Sequence, residues 1–260
     1  AKMFDGIVWG GPAMRTTVSN LALRWISHQY AKAGVANPRD PFSDEEQSLI
    51  MGALMDTCDA LDGHEDGLIF NRTSCNFDPR ALACSANPGR AAGQQCLADA
   101  KAEALARAMA GPVNAAGMPV YVSFPYDSGI DDTGGLPGLL IAGGSPPIGA
   151  HGADLQSLDV DAEFMAAIVA NEALGASASQ YNVSTFVHSG GKHIFYHGEA
   201  DPWFSANETV RYFDAMGVAN ADIAAAEQYS RLYLVPGMAH CAGGEQTLDS
   251  FDLLTPIVEW

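Results

Sequence analysis

Apolar residues gather into short continuous runs near the two ends of the chain and into helix-period stripes between them. The run over residues 4–8 predicts a buried strand, and Trp9-Gly-Gly-Pro-Ala13 a tight turn after it. Runs at 193–197 and 231–235, the second stopped by Pro236-Gly237, predict two more strands. Helical spacing predicts helices over 21–32, 97–109, 162–174, 206–216 and 247–260. Ser43-Asp-Glu-Glu46 is a capping box that opens a further helix through Leu49, Ile50, Ala53 and Leu54 into Cys58. A short apolar run at 120–124 reads as another strand, and residues 127–158 are rich in Gly, Pro and Ser with little periodicity. A structureless stretch of that length inside a domain is usually functional or mobile.

Strand–turn–helix alternation at both ends, with a loop-rich unit between, predicts an α/β fold split by an insertion. The expected division is a sheet-core segment at 1–19, an inserted lid at 20–182, and a second core segment at 183–260. The chain opens on an approach to a strand and closes inside a predicted helix, so the core is expected to be incomplete at both ends. The chain then reads as a mature piece or fragment of a longer protein.

With 260 residues and 48% apolar content, there is ample length for a buried core. No apolar run approaches the roughly 18 residues that suggest a membrane span, so no membrane partner is expected. The net charge of −18, with 13 basic residues that form no patch in sequence, argues against nucleic acid as a partner. It fits a solvated surface on a secreted protein, extracellular or periplasmic.

Five cysteines contain no CxxC, which disfavours a zinc ribbon or thioredoxin-type site. Cys58 and Cys75 bracket one turn-rich loop, and Cys84 and Cys96 bracket another. Two local bridges with Cys241 left over is the simplest pairing, and it implies an oxidising compartment. Acceptor sequons at Asn71, Asn182 and Asn207 are compatible with secretion.

The first of these loops, Cys58-Asp-Ala-Leu-Asp-Gly-His-Glu-Asp-Gly-Leu68, concentrates hard oxygen donors. Asp59, Asp62 and Asp66 could supply carboxylates to Ca²⁺, with the carbonyls of His64 and Leu68 completing the shell. It is no EF-hand, because the twelfth position counted from Asp62 is Thr73 rather than a bidentate Glu. The alternatives are an ion-free acidic turn held by a Cys58–Cys75 bridge, and a transition-metal role for the His64 imidazole.

Two units of the C-terminal third carry the candidate chemistry. His193-Ile-Phe-Tyr-His197-Gly-Glu-Ala-Asp201-Pro is a strand, a Gly turn and an acid. Tyr233-Leu-Val-Pro-Gly-Met-Ala-His240-Cys241 is a strand, a Gly turn and a His. Acid then base is the order of the last two members of an α/β-hydrolase triad. Asp201 is the candidate acid and His240 the candidate base, with Glu199 the alternative acid. A packed or hydrogen-bonded role is expected for His188, His193 and His197. Trp203 and Phe204 follow the acid and are candidates to wall a substrate pocket, with ordinary core packing the competing role. No Gly-x-Ser-x-Gly elbow occurs; Gly144-Ser145-Pro and His188-Ser189-Gly190 are its nearest approaches.

Together these motifs resemble the tannase and feruloyl esterase family, which includes hydrolases of mono(2-hydroxyethyl) terephthalate. The resemblance rests on Cys58-Asp-Ala-Leu-Asp-Gly-x-x-Asp-Gly, Cys75-x-Phe-Asp-Pro79, Gly190-Gly-Lys192, His197-Gly-x-x-Asp201-Pro and Val235-Pro-Gly-Met-x-His240-Cys241-x-Gly-Gly. Phe4-Asp-Gly-Ile-Val-x-Gly-x-Pro12 is similar to the strand that follows the nucleophile in those enzymes. The stretch from about 126 to 180 matches poorly.

The resemblance implies an α/β-hydrolase core with a large inserted lid and a Ser-His-Asp triad using Asp201 and His240. It also implies a structural calcium on Asp59, Asp62 and Asp66 with the His64 and Leu68 carbonyls. A Cys directly before the nucleophilic Ser would bridge to Cys241, so the Ser and that Cys are expected upstream, on an N-terminal segment or chain. The function expected is a serine carboxylic-ester hydrolase for esters of aromatic, phenolic acids such as feruloyl or galloyl esters, this chain alone being inactive. The competing expectations are a non-catalytic, calcium-stabilised binding domain and, more remotely, a hydrolase that uses a metal on the acidic loop directly.

Overall fold

The computed structural model describes residues 4–132, 154–173, 180–220 and 223–260. Among these, three strands form one parallel sheet: β1 (Gly6–Gly10), β2 (Lys192–Gly198) and β3 (Ser230–Val235), in the order β1-β2-β3. Gly6 is in register with Lys192, and His193 with Ser230. All three C-terminal ends therefore lie on one edge of the sheet, and the turns that leave them meet there.

Parallel neighbours need crossover connections. Helix α6 (Ala206–Ala219) and the short α7 (Ile223–Ala226) make the crossover from β2 to β3. Phe195 of β2 packs with Phe213 and Met216 of α6 and with Met14, Ala226 and Tyr229, forming the smaller of two main apolar clusters. The connection from β1 to β2 instead holds α1 (Thr16–Lys32), α2 (Asp44–Cys58), α3 (Asp99–Ala110), α4 (Val160–Ala173) and α5 (Ser184–His188). Val18, Leu23, Ile26 and Tyr30 of α1, Ile50 and Leu54 of α2, and Leu105 and Met109 of α3 build the larger cluster. Helix α1 runs unbroken across position 20, so its buried face joins the turn after β1 to this helical core.

The α2 capping box forms as its sequence predicts: Ser43 Oγ accepts from the Glu46 N–H, and Glu46 accepts from the Ser43 N–H. Both expected bridges, Cys58–Cys75 and Cys84–Cys96, are present, and Cys241 is the free cysteine among the described residues. They close turn-rich loops, where a covalent link limits the freedom of the unfolded chain.

Three predicted elements differ. The first strand, expected buried over 4–8, is Gly6–Gly10; it takes in Trp9 and leaves Val8 and Trp9 exposed. Residues 120–124 pair with no strand; the Val120 and Phe124 N–H groups donate to the carbonyls of Pro112 and Met109 at the end of α3, while Tyr121 and Phe124 bury their rings. Apolar content reflected burial there, not sheet pairing. The predicted C-terminal helix shrinks to α8 (Leu254–Glu259) because Asp252 Oδ1 accepts from the N–H groups of Leu254 and Thr255 and caps it late. The remainder of the low-periodicity stretch, residues 133–153, lies outside the described residues, as does Gly144-Ser145.

Candidate active site

The acid and base candidates meet at the C-terminal edge of the sheet. Gly198 ends β2, and a methyl group on it would collide with the carbonyls of Met238 and Ala239. This close approach lets the two loops lie against each other. The Ala200 N–H donates to the Met238 carbonyl at 3.0 Å, a second tie between them. Gly11, at a φ of 48°, brings the turn after β1 against the same place, with no room for a side chain beside Cys241.

The His240 ring accordingly lies on Asp201: Nδ1 is 2.7 Å from Asp201 Oδ2. A carboxylate only accepts, so Nδ1 carries the proton and Nε2 keeps its lone pair. Asp201 is almost fully buried. Burial alone would raise its pKa, but hydrogen bonds from His197 and His240 outweigh it and hold the carboxyl below its usual range. Its other oxygen, Oδ1, accepts from the N–H groups of Trp203 at 2.8 Å and Phe204 at 3.0 Å. The same Asp201 hydrogen bond raises the pKa of His240, against the opposing effect of burial.

Glu199, the alternative acid, is buried two residues before Asp201 and approached by Arg72 at 3.7 Å. Burial, with the charge of Asp127 added, pushes its pKa to about 8, and the long contact to Arg72 only partly opposes this. Trp203 and Phe204 lie on the His240 ring: the Trp203 ring stacks on it with centroids 5.5 Å apart, and Phe204 is tilted at 5.3 Å. Of the other histidines, His193 is buried among Trp9, Phe186 and Phe195, and burial drives its pKa down to about 4. His188 is bound to the Ser184 carbonyl.

Cys241, in the left-handed region at a φ of 66°, sets Sγ 3.7 Å from His240 Nε2 and 3.8 Å from the Gly10 carbonyl. The open nitrogen of the base therefore faces the thiol.

The hydrogen-bonded role expected for His197 is found, with the acid as its partner: it is a second imidazole on Asp201, four residues away. One further support had no mark in the sequence. Asp127, fully buried, accepts from the Gly129 and Gly237 N–H groups and so holds the start of the base loop. Burial raises its pKa to about 6 despite these two bonds. No local pattern marks a carboxylate 110 residues from its partner.

The acidic loop lies apart from this chemistry. Asp59 accepts from the Asp66 and Gly67 N–H groups, Asp62 from His64, and Asp66 from Leu68. The oxygen-rich donor set suits Ca²⁺ chemically. Among the described residues, however, no three acidic, His or Cys side chains converge as a metal site.

The family model described as tannase and feruloyl esterase matches residues 1–157 and 150–260. The mono(2-hydroxyethyl) terephthalate hydrolase of Piscinibacter sakaiensis is 31% identical, over 99% of this chain and 51% of that protein. A probable feruloyl esterase B of Aspergillus clavatus is 25% identical, over 94% of this chain and 46% of that protein. Among solved structures, an esterase from Aspergillus oryzae superposes with a TM-score of 0.78 at 22% identity, covering 99% of this chain and 53% of that one. Tannin acyl hydrolase from Aspergillus niger gives 0.72 at 21%, covering 93% and 48%. The fold is of the α/β-hydrolase type, and the chain spans about half the length of these relatives.

Proposed function

The chain belongs to the tannase and feruloyl esterase family, and from that premise we propose that it carries the acid and base of a serine carboxylic-ester hydrolase for esters of aromatic, phenolic acids. The observation that carries this reading is the 2.7 Å bond between His240 Nδ1 and the buried carboxylate of Asp201. That bond fixes the tautomer a general base needs. We place the nucleophilic Ser on an upstream segment, next to a Cys bridged to Cys241. The position of Cys241 Sγ, 3.7 Å from Nε2, supports this, because such a bridge would bring the neighbouring hydroxyl to the open nitrogen.

In the proposed reaction the Ser oxygen attacks the ester carbonyl while its proton passes to His240 Nε2. The imidazolium so formed is stabilised by Asp201, and it returns the proton to the departing alkoxide. Water then attacks the acyl-enzyme by the same route and releases the acid. Trp203 and Phe204 keep the base in its plane and, on this reading, border the acyl group. Residues 20–182 act as the lid over it, and the protein is secreted. No helix among the described residues is long and apolar enough to cross a membrane.

A phenolic rather than a free-acid acyl group is proposed from the distribution of cations. Between Arg107 and Arg211 the only Lys or Arg is Lys192. It begins β2, at the far end of the strand from Asp201, with Nζ 2.7 Å from the Gln228 carbonyl and over the Trp260 ring. Arg72 is nearer, but its Nη1 is bound to Asn207 Oδ1 at 2.6 Å. With the complete protein, including its upstream residues, methyl ferulate is expected to turn over at least about tenfold faster than the methyl monoester of terephthalic acid. A preference for a free carboxylate without a paired cation would cost a desolvated charge. Equal rates would remove the substrate assignment, and absence of esterase activity in the complete protein would remove the whole reading.

We also propose that calcium has a structural role in the loop at 58–68, with Asp59, Asp62 and Asp66 and the His64 and Leu68 carbonyls as the donors. Binding would require those carboxylates to exchange some backbone hydrogen bonds for the ion. A chelator is then expected to lower the melting temperature by several degrees while turnover at 25 °C stays within about twofold. A loss of rate with unchanged melting would reverse that assignment.

A further inference from the structure

Asp201 Oδ2 receives two imidazoles, and the proposed mechanism uses one. The second belongs to His197, the penultimate residue of β2, whose side chain is wholly buried. Its Nε2 lies 3.1 Å from Asp201 Oδ2 and 2.9 Å from the Phe204 carbonyl. Both partners are acceptors without hydrogen, so Nε2 must be the protonated nitrogen, shared between them. On the other side of the ring, Nδ1 is 2.7 Å from Thr209 Oγ1. A hydroxyl can donate, so Thr209 satisfies the bare nitrogen of a neutral ring. Thr209 is fully buried in the first turn of α6, beside Glu208, which Arg15 and Arg211 hold in place.

The consequence for the acid is geometric. Oδ1 is held by the Trp203 and Phe204 N–H groups and Oδ2 by His197, so hydrogen bonds at both ends together set the plane of the carboxylate. Occupation of one Oδ2 lone pair by His197 leaves the other for His240. It also withdraws part of the charge that His240 would otherwise receive.

We propose that His197, whose Nε2–H is directed at Asp201 and whose Nδ1 is held by Thr209, is a positioning residue that aims the Asp201 carboxylate at His240 and moderates the basicity of the base. This deepens the esterase reading and rests on it for the roles of Asp201 and His240. The coupling itself can be read without any ester.

The test is the titration of the His240 ring followed by NMR on the complete protein, upstream residues included, labelled with ¹⁵N-histidine. Variants are His197→Leu, His197→Gln and Thr209→Val. Removal of the donor gives His240 the whole carboxylate, so its pKa is expected to rise by at least about half a unit in H197L. T209V conserves shape and removes the hydroxyl that holds His197 Nδ1, which loosens the ring, so it should shift His240 in the same direction by a smaller amount. A Gln amide can return an N–H to Oδ2, and H197Q should bring the value back to within about 0.3 unit of the parent. In the complete enzyme kcat should fall about tenfold in H197L with KM within threefold. An unchanged His240 titration in folded T209V and H197L, or a failure of H197Q to restore it, overturns the proposal. Absence of esterase activity alongside the NMR shifts would instead overturn the reading beneath it.

Discussion

In the complete enzyme, Asp201→Asn is expected to lower kcat on methyl ferulate by about 10⁴-fold while KM changes less than threefold. The size of the effect follows from which end of the new amide faces the base. Asp201 Oδ1 accepts two backbone N–H groups, from Trp203 and Phe204. An Asn must keep its oxygen there, since an NH₂ would confront two donors in a buried site. The NH₂ then falls at the position of Oδ2, facing His240 Nδ1 and His197 Nε2. To accept from it, His240 must shed the Nδ1 proton and carry its hydrogen on Nε2. That nitrogen can then no longer take the Ser proton. Shape and volume are conserved, so substrate binding and circular dichroism should be preserved. A decrease in kcat of less than about tenfold would show that Asp201 does not set the tautomer of the base.

The parts of this arrangement that follow chain direction were legible in the sequence. The runs ending at Gly198 and Val235 predicted strands, and the turns after them predicted where Asp201 and His240 stand. The capping box and both local disulfides were equally readable, because each depends on residues less than twenty positions apart. What escaped depends on packing between distant segments. Asp127 reaches Gly237 across 110 residues, and Arg15 reaches Glu208 across 193. Neither pair has a periodic or local mark. The run at 120–124 was misread for a related reason: a buried apolar stretch can satisfy its backbone on a helix end as well as on a strand. In the acidic loop the donor types were legible, while the hydrogen bonds that Asp59, Asp62 and Asp66 accept from the loop's own N–H groups depend on a turn geometry that composition does not state.

The stability of the chain is expected to fall between pH 6.5 and 8, and Glu199→Gln should remove much of that fall. Burial, with the charge of Asp127 added, pushes the Glu199 pKa to about 8, whereas an unfolded Glu titrates near 4.3. Between those values the native chain holds a proton that the unfolded chain has released. Stability then declines with rising pH by about 1.4 kcal/mol per unit, on the order of 2 kcal/mol across the window. Arg72, 3.7 Å away, is too distant to favour the anion strongly, and its Nη1 is bound to Asn207. Below pH 6.5 other groups intervene. Asp127, raised to about 6, acts in the same direction as Glu199, while His193, lowered to about 4, acts against both. Above it, His240 contributes a decline of its own, common to parent and variant, because its pKa is raised by Asp201.

The difference between the two melting curves therefore isolates Glu199. From pH 6.5 to 8 the parent should lose about 4–8 °C more than E199Q, on the usual relation between free energy and melting temperature for a chain of this size. Parallel curves would mean that Glu199 is ionised in the native state and paired with Arg72 after all. The outcome bears on the site as well as on stability. Glu199 donates its N–H to the Val235 carbonyl and stands two residues from Asp201. An anion confined there would repel the carboxylate that must remain charged to orient the base. A neutral Glu199 allows the acid loop to be buried with Asp201 as its charged member, held by two imidazoles and two backbone N–H groups.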